Sequence, residues 1–383
     1  MDFTDLEEYI QSLPDKGIPG CEVIVMQDHK TLFRSCAGYS DYEKRRPTDE
    51  RNLYYLYSSS KVMTAVAAMA AIEDGYLKLH TRVADVIPEY ANLTVHSGDK
   101  CVRAETPLTV YHLLTMTGGY DYNLESASIL SAQKENADAS TLDIVRALAG
   151  EPLQFEPGMH YQYSLCHDIL AGTVEAAVNM PFSAYVKKRI AQPLGMTEIH
   201  YHMAEIGDMS RLAAQYKINE AGKCEKEEPV NPFLLTPAYE SGGAGIITTA
   251  SSYVLLLDAL ANGGVGANGA RILSGESVRE MGKNQLTPKQ LADYYATLGN
   301  RGYSYGLGVR TLITRKSPVN GNTSLSHVGE FGWAGAGGTY MLVDPVSRLA
   351  ICYMQDVLNM LNFTYQDHPH NMVRDLVYAA IEP

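Results

Sequence analysis

The sequence predicts an α/β protein in which an antiparallel β-sheet flanked by helices is assembled from both chain ends, with an all-helical region inserted between them. Three observations predict it. Strand-like runs with short polar turns lie near the start and again in the final third, helical apolar periodicity fills the middle, and a long apolar helix stands where the two patterns meet. The division falls at 1–78 with 230–383 for the α/β region and at 79–229 for the mainly helical insert. A crevice between two such regions is a common place for a small-molecule site.

In chain order, MDFTDLEEYIQSL reads as an acidic amphipathic helix, without the basic head and apolar core of an export signal. CEVIVMQD and TLFRSCAGY, separated by the polar turn from Gln27 to Lys30, read as a β-hairpin. In the run from Tyr54 to Asp74, closed by Gly75, Ser58 stands at the mouth of a buried apolar helix. The insert shows helical periodicity in VYHLLTM, TLDIVRALAG, HDILAGTVEAAV and FSAYVKKRIAQPLG. YGLGVRTLIT, TSLSHVG, GGTYMLVDP and RLAICYM return to strands at hairpin spacing, and HNMVRDLVYAAI closes the chain as a helix.

The 383 residues are 45% hydrophobic, enough for a large core, and the net charge of −13 comes without a basic stripe. That balance excludes nucleic acid as an expected partner. No run of ~18 apolar residues is present, so no membrane span is expected. The six cysteines are scattered and read as reduced core thiols, which together with the missing export signal predicts a cytoplasmic protein. Neither His200 with His202 nor Asp367 with His368 and His370 has zinc spacing, so no metal or other cofactor is expected.

The chemistry centres on Ser58. Residues three apart on a helix share a face, so Lys61 is held beside the Ser58 hydroxyl, and the helix N-terminus adds unpaired N–H groups that favour a forming alkoxide. The same Ser-x-x-Lys spacing recurs at Ser97–Lys100 and Ser131–Lys134, but both of those lie in polar stretches; the competing reading of Ser58 is a helix N-cap. Tyr163, in FEPGMHYQYSLCHDILAG, precedes a helix and can serve as base toward Ser58 and acid toward a leaving group, or else be a packed core tyrosine. In TSLSHVGEFGWAGAGGTYMLVDP, His327 and Gly329 precede a glycine-rich turn and the single tryptophan, Trp333. The backbone N–H groups of Ser58 and Glu330 are the candidate oxyanion hole. Tyr120, Asp121 and Tyr122 follow VYHLLTMTGG and are candidates for the crevice wall, with Tyr120 taken as the substrate contact. Residues 302–306, GYSYG, match a nucleophile elbow in letters only, because Ser304 is followed by a strand where the elbow needs a helix.

The landmarks GIPGCEVIV, the Ser58–Lys61 helix, LKLHTRVADVIPEY, PLTVYHLLTMTGGY, FEPGMHYQYS, AQPLGMTE, SGGAGIITTASSY, YGLGV and HVGEFGWAGAGGTYMLVDP run almost end to end. In their order and spacing the chain resembles the serine β-lactamase and penicillin-binding-protein-like superfamily, in its class C and carboxylesterase branch. The resemblance implies a β-lactamase/transpeptidase-like fold and an acyl-serine mechanism with Ser58 as nucleophile, Lys61 as its partner and Tyr163 as general base. Two departures narrow the substrate. The family's Tyr-x-Asn carries Leu165 at its third position, which cannot hydrogen-bond a substrate amide. Its Lys-Thr-Gly is read as His327-Val328-Gly329, and histidine attracts a substrate carboxylate less than lysine does at neutral pH. His327, Gly329, Leu165, Trp333 and Tyr120 are accordingly the expected substrate contacts. The expected activity is hydrolysis of small carboxylic esters. The alternatives are β-lactamase, D-aminopeptidase or DD-peptidase-type amide hydrolysis, and, in another class, a catalytically silent binding or scaffold protein on the same fold.

Overall fold

The hairpin read near the start forms as β1 (Gly20–Gln27) and β2 (Lys30–Asp41), with a short β3 (Arg46–Pro47) at its outer edge. The final third contributes β4 (Tyr303–Tyr305), β5 (Arg310–Leu312), β6 (Phe331–Ala334), β7 (Tyr340–Asp344) and β8 (Leu349–Met354). These eight make one antiparallel sheet in the order β4-β5-β6-β7-β8-β1-β2-β3. The two chain ends meet at β8 and β1, where Ile24 lies opposite Cys352. These features come from a computed structural model that describes residues 1–299, 301–316, 324–358 and 368–381.

Alternation along each strand divides the side chains between two cores. Val23, Val25, Leu342 and Ile351 face α1 (Thr4–Ser12) and the C-terminal α5 (Pro369–Ile381), which bring Leu6, Ile10, Val373 and Val377. On the other face, Ile24, Val343 and Cys352 pack with α2 (Ser60–Glu73), α3 (Cys166–Val178) and α4 (Ala250–Ala261). Helix α2 is buried from Ser60 through Ala71, which is why its sequence is apolar all round. The insert and the sheet share this second core, so the crevice lies within one packed body.

The structure corrects three expectations of architecture. YGLGVRTLIT is two strands, broken at Gly306–Val309: Gly308 takes φ +80°, and a Cβ on it would come within 2.4 Å of the Ala65 Cβ on α2. In TSLSHVG, residues 324–329 form a bend and turn, and Thr323 lies outside the described residues. The insert is mainly but not wholly helical. Its helices, among them Thr141–Leu148 and α3, are joined by a hairpin of Thr94–Ser97 with Lys100–Arg103, and by Ile199–His200, which pairs with Ile247–Thr248 beside Tyr54–Tyr55. Among the described residues no helix is long and apolar enough to cross a membrane.

Candidate active site

Ser58 lies in a single 3-10 turn, Tyr57–Ser59, immediately ahead of α2, and Tyr57 enters that turn at φ +47°. The hydroxyl is therefore not a helix cap. It bonds instead to Lys61 Nζ at 3.2 Å and to Tyr163 Oη at 2.6 Å. Lys61 is 0% exposed. Its ammonium also donates to Tyr122 Oη at 3.2 Å and to the Gly243 carbonyl at 2.8 Å, giving three acceptors for three protons. It lies 4.7 Å from the centroid of the Tyr163 ring, close enough for a cation–π contact.

Tyr163 stands just before α3 with its ring stacked between two others, Tyr122 at 5.4 Å and Trp333 at 5.6 Å. Tyr305 meets Trp333 edge-on at 5.2 Å, and Phe233 meets Tyr122 edge-on at 5.5 Å. The wall around Ser58 is thus a row of aromatic rings. Burial raises the Tyr122 phenol well above the ordinary tyrosine range, so it stays protonated.

The end of β6 runs beside the Ser58 turn. A Cβ on Gly335 would fall 2.2 Å from the Leu56 carbonyl oxygen, so only glycine permits this approach. Thr339 Oγ1 donates to that same carbonyl at 3.0 Å and lies 2.9 Å from Ser59 Oγ. Among the described residues the backbone N–H groups of Ser58 and of Ala336, in the turn after Gly335, have no acceptor. They are candidate donors at this junction.

Several expected contacts are elsewhere. The segment beside Ser58 is Trp333-Ala334-Gly335, not His327-Val328-Gly329. His327 is held by Asp344 at 2.7 Å and packs against Tyr378 of α5, on the opposite face of the sheet. Gly329 gives its N–H to Leu312 and is glycine because of φ +92°, with nothing within 4 Å of a Cβ there. Glu330 gives its N–H to the His327 carbonyl at 3.0 Å, so it cannot face an oxyanion; its buried carboxylate binds Tyr303 and Ser326. Tyr120 is 4% exposed and packs beside Tyr90 in the core, and the neighbour that reaches Lys61 is Tyr122. Leu165 is 3% exposed and lies in the same core, offering a substrate no polar atom. Trp333 stacks on Tyr163 beside Ser58. Ser304 is buried in β4 and bonds to Asn284. His200 is bound by Glu198 at 2.7 Å and His202 by Glu240 at 3.2 Å. Asp168, passed over in the sequence, is buried on α3 behind Lys61; an acid inside the apolar run CHDILAG was the signal for it.

An antiparallel sheet with helices on both faces, and a Ser–Lys–Tyr cluster at the start of a buried helix, define a β-lactamase/transpeptidase-like protein. The chain belongs to the Beta-lactamase family, which matches residues 6–363. It is 29% identical over 388 residues to Esterase EstB of Burkholderia gladioli, covering 96% of this chain and 93% of that one. Two solved structures share the fold. EstCE1, described as a hydrolase with promiscuous acyltransferase activity, has a TM-score of 0.81 at 23% identity, covering 98% of both chains. Simvastatin synthase (LovD) from Aspergillus terreus has a TM-score of 0.83 at 20% identity, covering 100% of this chain and 99% of that one.

Proposed function

We propose that the protein is a serine hydrolase that cleaves small carboxylic esters through an acyl-serine intermediate. The observation that carries this reading is the pair of contacts to Ser58 Oγ, 2.6 Å from Tyr163 Oη and 3.2 Å from Lys61 Nζ. Ser58 Oγ attacks the ester carbonyl carbon while its proton passes to Tyr163 Oη, the general base. The oxyanion is received by the N–H groups of Ser58 and Ala336. Collapse breaks the bond to the alkoxy oxygen, and Tyr163 returns the proton to the departing alcohol. Water then repeats the route in reverse and releases the acid. Lys61, with all three protons directed at acceptors, holds charge and geometry and takes no proton.

The walls support an ester over a β-lactam or peptide. Leu165 has no polar atom to bind an acyl amide and Trp333 no positive charge to attract a substrate carboxylate, and the aromatic row favours apolar acyl and alcohol groups. The sequence similarity to EstB points the same way. The test is a panel of p-nitrophenyl esters, a chromogenic cephalosporin and D-alanyl peptides, with wild-type protein and Ser58→Ala. Short esters are expected to turn over, and Ser58→Ala to lose about 10³-fold or more. A fully active Ser58→Ala protein refutes the nucleophile, and a wild type that prefers the cephalosporin refutes the ester assignment.

A further inference from the structure

Lys61 and Asp168, an amine and a carboxyl group, are 0% and 1% exposed; Lys61 bonds Ser58, Tyr122 and Gly243, and Asp168 Oδ2 is buried with no hydrogen-bond partner. We propose that Asp168 is a positioning residue for Lys61, acting through Gly243, and that it is the counter-charge of the buried ammonium. The link between them is one residue. Asp168 Oδ1 accepts the Gly243 N–H at 3.2 Å, while the Gly243 carbonyl accepts Lys61 Nζ at 2.8 Å, the shortest of the lysine's three bonds. The same oxygen accepts Tyr239 Oη at 2.9 Å and Ser241 Oγ at 2.6 Å, so the carboxylate gathers the whole turn from Tyr239 to Gly243. Thr64 Oγ1 of α2 holds the other side of that turn by donating to the Gly242 carbonyl at 2.6 Å.

The fit leaves no room for another residue at the link. A Cβ on Gly243 would lie 2.4 Å from Asp168 Oδ2 and 3.1 Å from Tyr122 Oη, and one on Gly242 would lie 2.4 Å from the His167 carbonyl oxygen. Ser241-Gly242-Gly243 is therefore shaped to pass between α2 and α3. The other titratable groups facing this pair are Tyr122, Tyr163, Cys166, His167 and Tyr239. Burial keeps Tyr122, Cys166, His167 and Tyr239 in their uncharged forms around neutrality. Asp168 is the carboxylate left to balance Lys61, and in a water-excluded interior that attraction acts beyond contact distance. The proposal rests on the reading of Lys61 as the partner of Ser58, but its charge link is testable without turnover.

The experiment follows the pH titration of the Lys61 ammonium by NMR in lysine-labelled protein, with the signal assigned through Lys61→Arg, in wild type and Asp168→Asn. Asparagine keeps an acceptor for Gly243, Tyr239 and Ser241, removes the charge, and puts its NH2 in place of Oδ2, which has no hydrogen-bond partner. The Lys61 titration is expected to move to lower pH by about one unit. In parallel, labelling of Ser58 by a fluorophosphonate at neutral pH is expected to slow about tenfold. An unmoved titration in folded Asp168→Asn overturns the proposal, whatever the labelling does. A moved titration with no labelling of wild-type Ser58 upholds the charge link and removes the hydrolase reading instead. Should Asp168→Asn not fold, Tyr239→Phe with Ser241→Ala strips two donors from the carboxylate and keeps its charge. Lys61 must then titrate as in wild type, and a shift of the Asp168→Asn size there overturns the proposal.

Discussion

Replacing Tyr163 by phenylalanine removes a single oxygen and isolates its part in the chemistry. The ring that stacks on Tyr122 at 5.4 Å and Trp333 at 5.6 Å remains. What is lost is the Oη 2.6 Å from Ser58 Oγ. Ser58 then keeps Lys61 Nζ at 3.2 Å, whose protons are all directed at acceptors, so nothing nearby can take the serine proton. A positioned acid or base contributes about 10²–10⁴-fold. The expected fall in kcat is about 10³-fold, roughly 4 kcal/mol of transition-state stabilisation, with KM little changed. Tyr163 is only half-buried, so the fold should lose no more than about 1 kcal/mol. Stopped-flow hydrolysis of p-nitrophenyl acetate resolves the acylation burst, and a thermal melt confirms the fold. A Tyr163→Phe protein with an unchanged melt and kcat within tenfold of wild type refutes Tyr163 as the base.

Two further variants test the site and the sheet. Ser304→Ala should keep full esterase activity and cost about 1–2 kcal/mol by leaving Asn284 without its buried partner; loss of activity in the folded variant would restore the elbow reading. Glu22 is fully buried against Arg34, and burial raises its carboxyl to about 7, ahead of the opposing pull of Arg34. The folded state therefore binds that proton more tightly than the unfolded chain, whose carboxyl titrates near 4.5. Its contribution is full below that value and is lost as pH rises to about 7, by up to about 3 kcal/mol. Urea unfolding at about pH 5 and about pH 7.5 should show this decline in wild type and a flatter profile in Glu22→Gln; equal slopes refute it.

The parts of this protein visible in its sequence are those fixed by local periodicity. Ser58 and Lys61 are one turn apart, so any helix there joins them, and the strands β1, β2, β7 and β8 alternate clearly enough to read. The site also depends on which face of an extended segment turns inward. Tyr120 and Tyr122 are two residues apart, and nothing in TGGYDYN says that the first packs on Tyr90 while the second reaches Lys61. The same limit misplaced the third motif. His327-Val328-Gly329 has the letters of the third motif, but the bend after residue 324 takes His327 to Asp344 behind the sheet and leaves Trp333 beside Tyr163. Asp168 was hidden for another reason: its partners, Tyr239, Ser241 and Gly243, lie more than seventy residues away in sequence.

The stacking of Trp333 on Tyr163 gives the molecule an optical reporter of its own. Trp333 is the only tryptophan among 383 residues, and its ring lies in van der Waals range of the phenol that contacts Ser58. Emission excited beyond the tyrosine absorption edge therefore comes from the crevice and nowhere else. Acylation of Ser58, entry of an apolar alcohol and emptying of the groove can each be followed in the unlabelled protein, turnover by turnover, without a chromogenic substrate.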